Sequence, residues 1–396
     1  MKSFIGYTLV IFSILTSGSL LYTSFNDDMF LILYLLLCLT AFYLKRQQKL
    51  SKYYFYYALL CISFLLLHPF LINNINIINT YFGYSLRIVS FLFVISVLGY
   101  QKFSLLYVKI LLFLCCANLF IYVDQNLLYG FSDPLASLSP LLTTWDQNVF
   151  YENYIFYVKP VMGGFGPIVE SGLIRNNGIF GEGGAYQYFL NLALVINLYS
   201  IKRPVFSFSN WIFVISILTT FSTTGYIILI IVLAYTTFGK SYERHMYMKR
   251  LIILPFIILI LISSTVIVDK LFNQESQAFL VSTQRRILDN IVDYHIIKDN
   301  PIFGIGFGND KIYKIYSNKF LGGGSSSNSL LYLLSSIGII GFLITLYPFI
   351  KFDLKKKKNK MIFLCNLLTI LTQGWVILTP VFLLSMSLLN QKARIA

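Results

Sequence analysis

The sequence predicts an all-α polytopic integral membrane protein, with about twelve transmembrane helices and two long outer loops, and three observations carry that prediction. Its 396 residues are 57% hydrophobic and 12% charged, with a mean hydropathy of +0.72, which excludes a soluble domain. Apolar stretches of about 15 to 22 residues, close to the length that crosses a hydrocarbon core, recur from end to end. The basic residues behind the net charge of +15 are sorted into separate loops rather than gathered in one patch.

The elements follow in order. Spans near 4–22, 29–44, 53–72, 83–100 and 104–123 make an N-terminal block, 1–123. A first outer loop, 124–184, is followed by spans near 185–200, 209–222, 224–238 and 251–269, which form the block 185–269. A second outer loop, 270–327, leads into spans near 328–350, 361–373 and 378–390, and with the tail these form 328–396. The seventh and eighth spans are short, as are the eleventh and twelfth, and either pair also reads as one broken helix. The first apolar run lacks a small-residue cleavage site and reaches another span at once, so it reads as retained.

Orientation comes from charge. Lys45, Arg46, Lys49 and Lys52 share one loop, Lys202 and Arg203 a second, and Lys240, Arg244, Lys249 and Arg250 a third; "KFDLKKKKNK" is a fourth, and Lys392 with Arg394 closes the chain. Each group follows an even-numbered span, so the positive-inside rule makes these loops and both termini cytoplasmic. Only Glu243 and Asp353 of the 16 acids then fall inside. Topology thus accounts for the charge, and no nucleic-acid partner is expected. Cys38, Cys61, Cys115, Cys116 and Cys365 all lie in apolar spans, away from disulfide or zinc-ligand spacing, and read as small core residues.

The polar chemistry concentrates in the two outer loops. The first closes on "SGLIRNNGIFGEGGAYQYF", with Arg175 and Glu182 just before a span; the pair reads as functional or as a surface ion pair beside a glycine turn. Trp145, Tyr151, Tyr154 and Tyr157 suit sugar stacking or an interfacial belt. In the second loop Ile287, Leu288, Ile291, Val292, Ile296 and Ile297 recur at helical spacing, with Arg286, Asp289, Asn290 and Asp293 opposite. This predicts an amphipathic helix lying on the outer surface and ending at Asn300 before Pro301. Arg285 has Asp289 four residues on as a helix partner, whereas Arg286 has no such carboxylate. His295 reads as a surface residue of this helix; His68 and His245 offer no stronger case for catalysis. Arg87, in the outer third of its span, needs a partner or a wet cavity unless it snorkels to the interface.

"KDNPIFGIGFGND" places glycines at Gly304, Gly306 and Gly308. The strand, spacing and following helix of a dinucleotide-binding turn are missing. The box reads either as backbone N–H donors for a phosphate outside the membrane or as a flexible turn after Pro301.

Four segments resemble the O-antigen polymerase and ligase superfamily, from Arg175 onward. "IRNNGIFGEGGAYQYFLNLAL" resembles its arginine, glycine and acid run entering a span. "LTTFSTTGYIILII" is similar to its small-residue turn between short helices, with Thr223 where arginine is frequent. "RRILDNIVDYHIIKDNPIFGIGFGN" resembles its outer-loop arginine and P-x-x-G-x-G-x-G run, with Arg286 the matching arginine. "SSNSLLYLLSSIGIIG" resembles its H-N-x-x-L run, but Ser327 stands where the histidine falls; because that histidine is assigned to the acceptor in ligases, its replacement favours a polymerase. The resemblance implies a Wzy-type polysaccharide polymerase of GT-C-like fold in the bacterial inner membrane. It would use an undecaprenyl-diphosphate-linked oligosaccharide, with no metal or other cofactor and with a chain-length regulator as a candidate partner. In that reading Arg175 and Arg286, aided by Arg87 or Arg285 and by Gly304, Gly306 and Gly308, hold the diphosphate. Glu182, with Asp289 or Asp293 as alternatives, is the general base. Ser327 and Asn328 contact the acceptor sugar or cap a helix. A ligase and a flippase or transporter are the rival expectations; a transporter would carry repeated halves, and the sequence has no internal repeat.

Overall fold

A computed structural model of the protein describes residues 2–24, 27–45, 52–127, 131–137, 142–143, 150–162, 174–238, 277–320, 326–350, 356–374 and 376–389. The helices are α1 (Lys2–Leu15), α2 (Leu20–Ser24), α3 (Asp27–Leu44), α4 (Lys52–Leu71), α5 (Ile78–Leu127), α6 (Asp133–Ser137), α7 (Gly183–Val195), α8 (Phe208–Thr219), α9 (Thr223–Phe238), α10 (Gln277–Asp299), α11 (Asp310–Phe320), α12 (Ser329–Ile350), α13 (Lys357–Ile370) and α14 (Pro380–Ser387). The strands are β1 (Leu142–Thr143), β2 (Phe150–Asn153) and β3 (Val158–Met162). The chain forms two compact units, one of Met1–Gly18, Phe25–Leu106 and Leu280–Ala396, the other of Ser19–Ser24 and Tyr107–Phe279.

Among the described residues, Lys52–Leu71, Ile75–Asn126 and Ser329–Tyr347 are long and apolar enough to cross a membrane. Phe4–Leu15, Asp28–Leu44, Phe208–Thr219 and Thr223–Thr236 are apolar but shorter. The protein is therefore a mostly helical membrane protein, and among the described residues three helices, not twelve, are long and apolar enough to span. The expected fourth and fifth spans run on as α5, with helical backbone broken at Gly99 (φ 65°, ψ 171°). The seventh and eighth are separate helices, α8 and α9, divided by a turn in which Phe221 has φ 49°. The expected span 251–269 lies outside the described residues.

The first outer loop corrects the all-α expectation. β1, β2 and β3 form an antiparallel sheet with a register shift at Phe150/Tyr151. The turn from β2 to β3 is set by Asn153, whose side chain accepts the Ile155 N–H at 2.9 Å while Ile155 takes φ 69°. Tyr151 packs with Leu20, Leu142 and Val158, and Tyr154 and Tyr157 pack with Ile121 and Tyr122. All three tyrosines are buried, so they form a local core rather than an open stacking surface. Trp145 lies outside the described residues. The five cysteines are free, four of them buried and Cys116 exposed, so Cys116 is not a core residue.

Candidate functional site

The first unit is organised around a defect in α12. Gly338 has φ 63° and ψ −173°, which interrupts the helix and strands backbone groups on both sides. In a membrane span such groups must find partners within the protein. The glycine box supplies them: the N–H groups of Ile305 and Gly306 donate to the carbonyls of Ser335 (2.9 Å) and Ser336 (2.7 Å). In return the N–H groups of Ile339 and Ile340 donate to the carbonyls of Pro301 (2.9 Å) and Ile302 (3.4 Å). Only glycine permits this approach, since a Cβ on Gly304 would lie 2.5 Å from the Ser335 carbonyl oxygen and one on Gly338 2.2 Å from that of Ile302.

Other box amides are also engaged. Gly304 N–H donates to the Asn300 carbonyl (3.0 Å) and Phe307 N–H to the Tyr81 hydroxyl (2.9 Å). The expectation that Gly304 and Gly306 offer donors to a phosphate is therefore corrected: the Gly304 amide closes the turn on Asn300 and the Gly306 amide bonds to Ser336 at the broken helix. His68 extends the same network, its ring bonded to the Tyr81 hydroxyl through Nδ1 (2.7 Å) and to the Phe303 carbonyl through Nε2 (2.6 Å). Its role here is to tie α4 to the box. Arg87 places its guanidinium over the Tyr84 ring, 5.1 Å from the centroid, and His295 stacks on Phe320 at 4.1 Å.

The helix α10 ends at Asp299, just before Asn300 and Pro301, but its faces differ from the expected arrangement. The buried stripe is Asp289, Val292, Asp293 and Ile296, at helical spacing, while Ile287 is 55% exposed. Val292 and Ile296 pack with Ile305 and Tyr313. Burying Asp293 is made tolerable by two hydroxyls, because Ser335 donates to it at 3.0 Å and Ser326 donates to its other oxygen. Burial pushes the Asp293 carboxyl up to about 7, against the pull of the two serines and aided by neighbouring Asp289.

These contacts gather the second-loop residues at the start of α12. Ser326 also accepts the Asn328 N–H (3.3 Å), and its hydroxyl oxygen lies 3.1 Å from the Asn328 carbonyl. The Asn328 side chain accepts from Leu330 (3.0 Å) and Leu331 (3.2 Å), so it caps the helix. Ser329 N–H donates to the Gln373 carbonyl (3.0 Å), and the exposed Arg286 donates to the neighbouring Thr372 carbonyl at 3.4 Å. Arg286, Asp293, Ser326 and the half-exposed Ser327 thus lie around the 372–374 turn, with Asp289 buried one helical turn from Arg286. The Arg285 side chain lies outside the described residues. Ser335 carries no sequence signal of its role, while Ser326 adjoins the motif already singled out.

Arg175 and Glu182 belong to the second unit. The Asn176 side chain donates to Thr219 (2.9 Å) and accepts from Gly178 (3.1 Å), which docks the glycine turn on the end of α8. Gly183 is required there, since its Cβ would lie 2.6 Å from the Thr220 carbonyl oxygen. Glu182 is half-exposed in the N-cap position of α7 and makes no side-chain capping bond. Burial and, second, the Glu182 charge push the Tyr151 phenol up to about 12. No group of three or more metal-ligating side chains occurs among the described residues.

Residues 208–346 match the family model described as O-antigen ligase. The matched stretch includes α8, α9, α10, the glycine box and most of α12, while Arg175 and Glu182 precede it. The search of curated proteins finds no match. Over residues 208–346 the chain is similar to a polysaccharide-related membrane enzyme family, and the apolar helices fit that likeness.

Proposed function

We propose that the protein is a polysaccharide polymerase, an inverting glycosyltransferase that joins undecaprenyl-diphosphate-linked repeat units at the outer face of the bacterial inner membrane. The observation that carries this reading is that the family match takes in the arginine helix, its buried acids and the Ser326–Asn328 mouth of α12 together. An exposed guanidinium suits a lipid diphosphate, because it stays charged and grips two phosphate oxygens at once. Arg286, and in the second unit Arg175, are assigned to the donor. The acceptor hydroxyl attacks the anomeric carbon, the bond to the diphosphate breaks, and the hydroxyl proton passes to a carboxylate. Glu182 is assigned that proton because it is half-exposed and free of capping duty; Asp289 and Asp293 are the alternatives.

A ligase reading is favoured by the matched family's own description. Ser327 in the place of the family's acceptor-handling histidine favours the polymerase. Arg175→Ala and Arg286→Ala, expressed at normal membrane levels in the strain that carries the gene, separate the readings on a gel of surface polysaccharide. Collapse of the ladder to single repeat units supports the polymerase, and long chains held on the lipid carrier support the ligase. An unchanged ladder removes both arginines from the site.

A further inference from the structure

The glycine box does more than plug a broken helix. With the α4–α5 turn it encloses a cleft of about 530 Å³, all within the first unit, and no charged side chain lines it. That size falls inside the range of about 300–1,000 Å³ typical of small-molecule sites. Four asparagines line the cleft: Asn73 and Asn74 from the turn, Asn300 and Asn309 from the box.

Their local duties do not account for all of them. Asn309 donates to the Ile305 carbonyl (2.7 Å) and accepts the Ile312 N–H (3.5 Å), and Asn300 donates to Ile296 (3.4 Å), so these two are held by local bonds. Asn74 occupies the N-cap of the short helix Ile75–Ile77 yet makes no capping bond. Asparagine is favoured at that position because its side chain caps, and here the side chain makes no such bond. Asn73 sits at φ 53°, a conformation asparagine tolerates better than most residues, and is exposed. Ile302 and Ile312 add exposed apolar surface. The floor is rigid because the box is bonded to the two sides of the Gly338 break.

We infer that this cleft is a glycan subsite that takes an uncharged sugar of the polysaccharide through its hydroxyls; the identity of that glycan rests on the polymerase reading. A carboxamide pairs a donor with an acceptor, which matches neighbouring sugar hydroxyls. The isoleucines pack against the ring's C–H face, and the lack of any cation turns away the diphosphate. The diphosphate and the sugar are therefore handled by different residues, Arg286 for the first and the asparagines for the second.

The test uses the full chain in nanodiscs and, as probe, delipidated repeat-unit oligosaccharide released from the host strain's own surface polysaccharide. Two variants attack the cleft differently. Asn73→Gly with Asn74→Ala removes carboxamides while glycine keeps the positive φ, and Ile302→Trp fills the space. Both are expected to weaken probe binding about tenfold or more, with unchanged melting temperature, and to shorten the ladder in cells. Wild-type affinity in both folded variants overturns the subsite. So does failure of the wild-type protein to bind the probe while its ladder still depends on Arg286, an outcome that leaves the polymerase standing. Conversely, a ladder indifferent to Arg286→Ala, together with probe binding that the asparagine variants lose, keeps the subsite and removes Arg286 from the donor site.

Discussion

At Asp293 a carboxyl is wholly removed from water and still satisfied, because serines from two places in the chain donate to it. Its folded pKa, about 7, lies above the ordinary carboxylate value, so the native state holds a proton that the unfolded chain has already lost. The stabilisation is therefore complete below about pH 4 and is lost as pH rises through about 7, with a slope of up to roughly 1.4 kcal/mol per pH unit. Asp293→Asn is expected to flatten that slope in thermal unfolding followed between those limits. Parallel curves for wild type and variant would refute the buried-proton account. Gly338→Ala is expected to cost at least about 2 kcal/mol, since the new Cβ meets the Ile302 carbonyl at 2.2 Å at a residue with φ 63°. Its melting temperature and membrane yield measure this. Arg286→Lys should behave like Arg286→Ala in the ladder assay if two phosphate oxygens are gripped together, because an ammonium lacks the planar fork.

At the scale of elements, α12 begins and breaks for separate reasons. Asn328 caps its start, so Asn328→Ala is expected to lose about 1 kcal/mol of stability and Asn328→Asp to recover it. If the ladder follows stability across these two variants, capping is what Asn328 contributes; a ladder lost in the stable Asp variant would assign it to the acceptor instead. The end of α10 was legible from Pro301, but which face it buries was not. Periodicity counts apolar residues, and Ile287 is among those that set the expected face, yet it is exposed. Burying an acid costs little once its oxygens are received, so the acids were free to turn inward where Ser326 and Ser335 donate to Asp293. The sheet of the first loop was hidden for a related reason. Its tyrosines carry the same composition whether they line an interface or fill a core.

For the whole molecule, the distribution of lysine and arginine predicts topology. In a cysteine-free background, Asn74→Cys is expected to react with an impermeant maleimide in intact cells. Lys357→Cys, in the basic run, is expected to react only after permeabilisation. The reverse pattern would invert the orientation and move Arg286 and the asparagine cleft to the cytoplasmic side. By itself the sequence determined the membrane class, the division into apolar helices and polar loops, the stop before Pro301 and the resemblance to the polysaccharide superfamily. These follow from transfer free energy and backbone restriction, which act over a few neighbouring residues. Only the tertiary structure decided that the Ile305 and Gly306 amides are committed to a broken helix, that Asp293 is buried, and that four asparagines line one cleft. Each of these depends on groups far apart in the chain, 42 positions for Asp293 and Ser335 and 226 for Tyr81 and Phe307. A polar group's free energy is set by the partner that folding brings to it, and that partner is chosen by packing rather than by local pattern.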